Sequence, residues 1–423
     1  MNALGRRSLA AAVLSIIVAA PVGAPAVAAS PGAGWLDPTF GTNGVTLVPR
    51  VVARTDDFVT ARVAVAPTGR IAVVAIRTAH LKPTQVELTV FTSSGRLDPA
   101  FHGGTPLSIF HGTIDEATCC DVEGPFLTPD GGVIVTFGDI DGFAVFRYGP
   151  TGRLLWHSAL PNAPLGVAVL AGGSTRAISF NFYADLSAPT AVSLQGLTPS
   201  GALDTRVGPH GARMLDTLVG PSAIVRDPLN RLYVVGNEYA TPPAGDRSFE
   251  VFRLTSSGDA DPTWGTGGVT TFPGGDHETV DAALAPDYSL YLASQGTDPG
   301  TGRPIIVVRK LTSAGIVDGG FGSGGVLVLP APSGSARFGS ITVDLAGRPI
   351  VSFVDRASTG LQPMLARLDP ATGALDPTFG RSGLMKVASL ATGLAVTSGG
   401  KVLTVSRVAR DGGFVVYLAR RTN

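Results

Sequence analysis

Three stretches of this sequence gather side chains able to bind or polarise a ligand: Arg54 with Asp56 and Asp57; His111 with Asp115, Glu116 and Asp121; and Asp276, His277 and Glu278. Brought around one opening, such imidazoles and carboxylates form a cation or polar-ligand site. Spread over separate loops they are ordinary solvated charge. Residue type alone does not choose between the two. His277-Glu278-Thr279-Val280-Asp281 has the outline of a zinc-protease motif, but that chemistry needs two imidazoles one turn apart on a helix, and the second position here is Asp281. Asp139-Ile140-Asp141-Gly142 opens as a calcium loop does, yet no ligand run or glutamate follows, so it reads as a hairpin turn. No metal site is expected.

Cys119 and Cys120 are the only cysteines and adjoin each other. In an oxidising compartment they either close a strained vicinal disulfide or remain two thiols. No G-x-S-x-G elbow, phosphate-binding glycine loop or paired metal-ligand spacing is present, so no catalytic residue and no cofactor is predicted.

The elements that must position these residues are legible in composition and repetition. Charged residues make up 15% of the chain, while Gly 55 and Pro 32 mark it as rich in turns. Lys plus Arg and Asp plus Glu balance at 32 each, which leaves no overall field to hold nucleic acid or an anionic membrane surface. At the start, Arg6 and Arg7 precede an apolar run from Leu9 to Val22 and an Ala26-Val27-Ala28 cleavage site, the grammar of an export signal. Residues 1–29 are expected to be removed, leaving a mature chain with no transmembrane segment that begins at Ala29 or Ser30.

From residue 30 onward the chain repeats. Leu36-Asp37-Pro38-Thr39-Phe40-Gly41 returns as Asp261-Pro262-Thr263-Trp264-Gly265 and Leu375-Asp376-Pro377-Thr378-Phe379-Gly380, with weaker copies near 97, 203 and 318 and a decayed one near 154. The aromatic or its substitute falls at 40, 101, 156, 207, 264, 321 and 379, so successive copies stand 51 to 61 residues apart. Each unit holds two apolar runs around a turn such as Pro67-Thr68-Gly69, Pro129-Asp130-Gly131 or Pro286-Asp287-Tyr288, where Gly or Asp tolerates positive φ. A third run and the motif precede a fourth. Four short strands per unit make a propeller blade. The chain begins with a motif and fourth strand alone (Leu36 to Val48) and ends after a third strand, Phe414 to Ala419. The expected fold is therefore all-β: one seven-bladed β-propeller of four-stranded blades over 30–423, closed by the N-terminal strand joining the C-terminal blade. Recurrence of Phe40, Phe101, Trp156, Trp264, Phe321 and Phe379 at one place in the unit predicts packing between blades rather than a sugar-stacking platform.

The Leu-Asp-Pro-Thr-Phe-Gly-x-x-Gly-Val decamers with Pro-Asp-Gly hairpins resemble the delta-60 repeat family of bacterial exported proteins over residues 35–423. That resemblance implies a propeller-like repeat domain and no assigned activity. The expected function is a secreted, extracellular, monomeric binding or scaffold protein. Its partner would be an extracellular protein, a glycan or a small polar ligand, held by Asp56, Asp57, His111, Asp115, Glu116, Asp276, His277 and Glu278 on one face. The alternative is a propeller enzyme, either a hydrolase or a quinoprotein-type oxidoreductase in which Cys119 and Cys120 would lie beside a cofactor.

Overall fold

The computed structural model describes residues 34–423 apart from 55–57, 80–81, 112–121, 140–141, 161–163, 181–191, 216–219, 238–248, 273–279, 358–359 and 411–412. The expected export signal lies outside the described residues. No helix among the described residues is long and apolar enough to cross a membrane.

The strands form seven antiparallel four-stranded sheets, each built from consecutive strands except the last, which takes one strand from the N-terminal end. Blade 1 runs from inside out as Phe58–Val65, Ile71–Ala79, Lys82–Phe91 and Leu107–His111. Blades 2 to 6 span 122–160, 164–215, 220–272, 280–328 and 336–386. In blade 7, Ala391–Val396, Val402–Arg410 and Gly413–Arg421 are joined by Val45–Arg54 as the outermost strand. The innermost strands touch one another in sequence around the axis, and that of blade 7 touches that of blade 1, so the ring is closed.

The second strands show why the sequence folds this way. Ile71-Ala72-Val73-Val74-Ala75-Ile76 is apolar throughout. Alternation sends Ile71, Val73 and Ala75 against blade 7, while Ala72, Val74 and Ile76 pack on blade 2. A strand buried on both faces requires such a continuous run. Each fully buried Val or Ile contributes about 1.5–3 kcal/mol.

The turn between first and second strands is built alike in every blade. Its last residue takes positive φ at Gly69, Gly131, Gly173, Asn230, Tyr288, Gly347 and Gly400. At Pro286-Asp287-Tyr288 the sequence suggested Asp as the tolerant residue, but the left-handed position falls on Tyr288, φ 65. The Tyr288 ring sits 5.3 Å from the Arg231 guanidinium of the preceding blade, a contact that helps offset the backbone strain.

The repeated motif is the joint between blades. Phe40, Phe101, Trp264, Phe321 and Phe379 are at most 1% exposed. Each side chain except Phe379 slides beneath the third-to-fourth turn of the following blade: a Cβ added at Gly95 would stand 2.7 Å from the Phe40 ring, and one at Gly315 only 2.5 Å from Trp264. Main-chain bonds fasten the same junctions, with the N–H groups of Gly41, Gly265 and Gly322 donating to Ser94, Ala314 and Thr372 carbonyls at 2.8 Å. The aromatics are thus packing residues, as their recurrence suggested. The decayed copy does not cost blade 2 its geometry. Trp156 lies within the outermost strand Leu154–Leu160, and its indole N–H donates to the Pro199 carbonyl of blade 3 at 2.8 Å.

At the closure, Val45 stands opposite Ala419 and Val48 opposite Val416, with a register shift before Val52 pairs with Val415. The strand runs past the expected end at Val48 to Arg54. The shift falls at Pro49, which has no N–H for the ladder. Phe379 of blade 6 meets the chain ends instead of a turn: a Cβ at Gly34 would stand 3.0 Å from its ring, and the Thr422 N–H donates to the Trp35 carbonyl at 2.8 Å.

Candidate functional site

Antiparallel alternation gives the propeller two unlike faces. First-to-second and third-to-fourth turns emerge on one, here the turn face; second-to-third turns and blade-to-blade connections emerge on the other, the loop face.

On the turn face, the aspartates of the repeated motif are each committed to a basic residue. Each motif aspartate caps its own turn, as Asp37 Oδ1 does by accepting Thr39 N–H at 3.1 Å and Thr39 Oγ1–H at 2.7 Å. The other carboxylate oxygen accepts from a basic residue: Arg70 to Asp98, Arg176 to Asp204, Arg253 to Asp261, Lys310 to Asp318, Arg367 to Asp376 and Arg420 to Asp37, all at 2.7–2.9 Å. The Arg206 hydrogen bond, opposed by burial and aided by Arg176, holds the Asp204 carboxyl down at about 2. Burial works against Asp37 too, but Lys401, Thr39 and Arg420 outweigh it and hold that carboxyl well below the usual range. Sequence reasoning used these aspartates only as marks of the repeat and missed their charge partners.

The residues picked out from sequence fall between blades in chain order. Asp56 and Asp57 lie between Arg54, which ends the outermost strand of blade 7, and Phe58, which begins blade 1. Backbone pairing places His111 at the end of blade 1, opposite Gln85, and Asp115, Glu116, Cys119, Cys120 and Asp121 follow before Val122. Asp276, His277 and Glu278 lie between Phe272 and Val280. All of these except the His111 backbone lie outside the described residues. Among the described residues no group of three or more His, Cys, Asp or Glu is placed to hold a metal ion.

Two described regions bear on what this side of the ring can do. The first is the wall of the central opening, where polar side chains link successive innermost strands. Arg62 of blade 1 pairs with Glu123 of blade 2. Asp281 of blade 5 accepts Ser340 Oγ–H at 2.8 Å and Ile341 N–H at 3.1 Å from blade 6. Burial pushes the Asp281 carboxyl above the ordinary aspartate range, against these hydrogen bonds and the charge of Arg62. The second is a cleft of about 640 Å³ between blades 5 and 6, lined by Arg303, Pro332, Ser333, Ser335, Asp355, Arg356 and Ala357. Asp355 Oδ1 accepts the Ser333 N–H at 3.0 Å and Oγ–H at 2.5 Å, and the Arg356 N–H donates to the Ser335 carbonyl at 2.9 Å. This cleft was not foreseen, because the stretch around Ser333 is nearly neutral and its arginines come from other strands.

What the fold defines is a seven-bladed β-propeller of four-stranded blades, with the repeat aspartates ion-paired on one face. No protein-family model matches the sequence, and no curated protein does. Among solved structures, the chain is similar to the polysaccharide lyase Uly1, at 10% identity over 91% of this chain and 92% of that one, with a TM-score of 0.48. It is also similar to an acylaminoacyl peptidase of Pyrococcus horikoshii, at 9% identity over 86% of this chain and 52% of that one, TM-score 0.48. A third is the Dos1 propeller, at 10% identity over 87% and 95% of the two chains, TM-score 0.41.

Proposed function

We propose that this chain is an exported, monomeric propeller of the delta-60 kind that works as a binding or scaffold protein. It engages an extracellular protein, a glycan or a small polar ligand on the loop face, around the central opening. The observation that carries this reading is the asymmetry of the faces. The motif aspartates of the turn face already hold basic partners at 2.8–2.9 Å, so recognition through them would first have to break internal pairs. The blade-to-blade connections join the strands of a closed ring, and loops on a rigid scaffold are where recognition usually sits.

The test is an array of extracellular proteins and glycans probed with purified protein. Replacing Asp276, His277 and Glu278 together with alanine should abolish the strongest interaction. The exposed turn-face changes Leu229→Ser and Ile316→Ser, at residues each 64% exposed, should leave it intact. The reverse pattern would place recognition on the turn face and overturn the reading.

A further inference from the structure

The cleft between blades 5 and 6 brings two exposed arginines to one cavity. Arg231 meets Asp227 and Arg348 meets Asp344 across their own turns. Arg303 and Arg356 line one cleft, both exposed, and among the described residues neither guanidinium meets a carboxylate within ion-pair distance.

The two acidic groups near them are occupied with holding backbone. Asp355, 4% exposed, receives Ser333 through its N–H and hydroxyl and so fixes the connection between blades. Asp298, whose charge reaches Arg303, accepts the Thr301 N–H at 2.7 Å, the Thr301 hydroxyl at 2.7 Å and the Gly300 N–H at 3.1 Å. Arg303 Nη1 makes a long 3.5 Å contact to the Ser333 carbonyl, and both guanidinium groups line one cavity whose walls are set by hydrogen bonds before any ligand arrives. Arginine forks match carboxylates in two-point geometry, and a prearranged site loses less entropy on binding.

We infer that this cleft is a carboxylate-recognition subsite for an acidic peptide segment, a reading that rests on the loop-face proposal and narrows it. The remaining lining favours peptide over sugar. No aromatic side chain lines the cleft to stack a pyranose ring, whereas Ser333, Ser335 and neighbouring main chain offer polar partners to a peptide backbone. A volume of about 640 Å³ accommodates a few residues.

The probe is fluorescein-labelled hexaglutamate, titrated by anisotropy into the full mature protein at low and at physiological salt. Binding should weaken about tenfold in each of Arg303→Ala and Arg356→Ala, the loss expected for a charge-assisted hydrogen bond. Arg303→Lys and Arg356→Lys should fall between, since lysine keeps the charge and loses the fork. Both sites are exposed, and unchanged melting temperatures would confirm that the variants fold. Hexaglutamate binding that is absent, or unaltered in the double alanine variant, overturns the inference. So does tighter binding of a uronate oligomer that responds to the same substitutions. If hexaglutamate fails while the alanine changes at 276–278 still abolish an array interaction, the subsite falls and the loop-face reading stands.

Discussion

Removing the Asp37 carboxylate should loosen the closing sheet before it unfolds any blade. Asp37 is 2% exposed and gathers Arg420 Nε–H at 2.8 Å, Lys401 Nζ–H, Thr39 N–H at 3.1 Å and Thr39 Oγ1–H at 2.7 Å. Lys401 is 38% exposed, so solvent screening leaves it a small share. Arg420 is 11% exposed and would lose its carboxylate partner while keeping the Ser93 carbonyl and the Thr39 hydroxyl, so the cost is about 3 kcal/mol, the low end for a broken buried pair. Asp37→Ala should therefore cost about that much. Asp37→Asn keeps an acceptor for Thr39 and should cost about 1.5–3 kcal/mol, the worth of a hydrogen bond to a charged group. Asp261→Ala is the control, because Arg253 and Thr263 surround it in the same way within a blade whose strands are covalently continuous. Urea unfolding followed by tryptophan fluorescence gives the energies, and limited proteolysis read by mass spectrometry gives the location. Both alanine variants should lose similar stability, but only Asp37→Ala should gain cleavage within Val45–Arg54 under native conditions. Cleavage there in both variants would refute the reasoning. So would a loss below about 1 kcal/mol, the range of an exposed pair.

The aspartates at 37, 204, 261, 318 and 376 all have carboxyls held below their ordinary range. Because the folded state keeps them ionised, their stabilisation is complete above the unfolded aspartate pKa of about 3.9 and is lost as pH falls through the folded values. The melting temperature should be flat from about pH 5 to 7 and drop steeply below about pH 4. Asp281, raised by burial, works in the opposite direction; a melting temperature that climbs toward pH 3 would mean that its sign dominates. Gly315→Ala should destabilise by about 2–5 kcal/mol, combining left-handed strain with overpacking against Trp264. Gly347→Ala, with nothing within 4 Å, should cost only the strain of about 1–2 kcal/mol, and equal losses in chemical denaturation would count against the inter-blade joint. Intact-mass analysis of exported protein should show a chain starting at Ala29 or Ser30, and retention of 1–29 would contradict the export reading.

The blades were legible in the sequence because one motif recurs with an aromatic at a fixed place, and the closure because both ends stop in mid-unit. The ion pairs of the turn face were not. Their basic member comes from the third strand at Arg253, Lys310, Arg367 and Arg420 but from the start of the second at Arg70 and Arg176, so no constant spacing announces it. The cleft was hidden for a similar reason. Arg303 belongs to blade 5 and Arg356 to blade 6, and only the ring brings them to the segment around Ser333. The charged stretches at 54–57, 111–121 and 276–278 were the plainest local signal. They lie outside the described residues, apart from the backbone of Arg54 and His111.

The sheet of blade 7, drawn from both ends of the repeat region, also sets a timetable for the newborn chain. Arg420 and Asp37 stand 383 residues apart in sequence. Ribosomes add about 5–20 residues per second, so the first strand made must wait about 20–80 s for its neighbour. Throughout that interval Val45–Arg54 offers an unpaired edge to any passing chain, a known route to aggregation. Dilution or a holding factor during biogenesis should therefore raise the yield of this protein more than any change to its finished core.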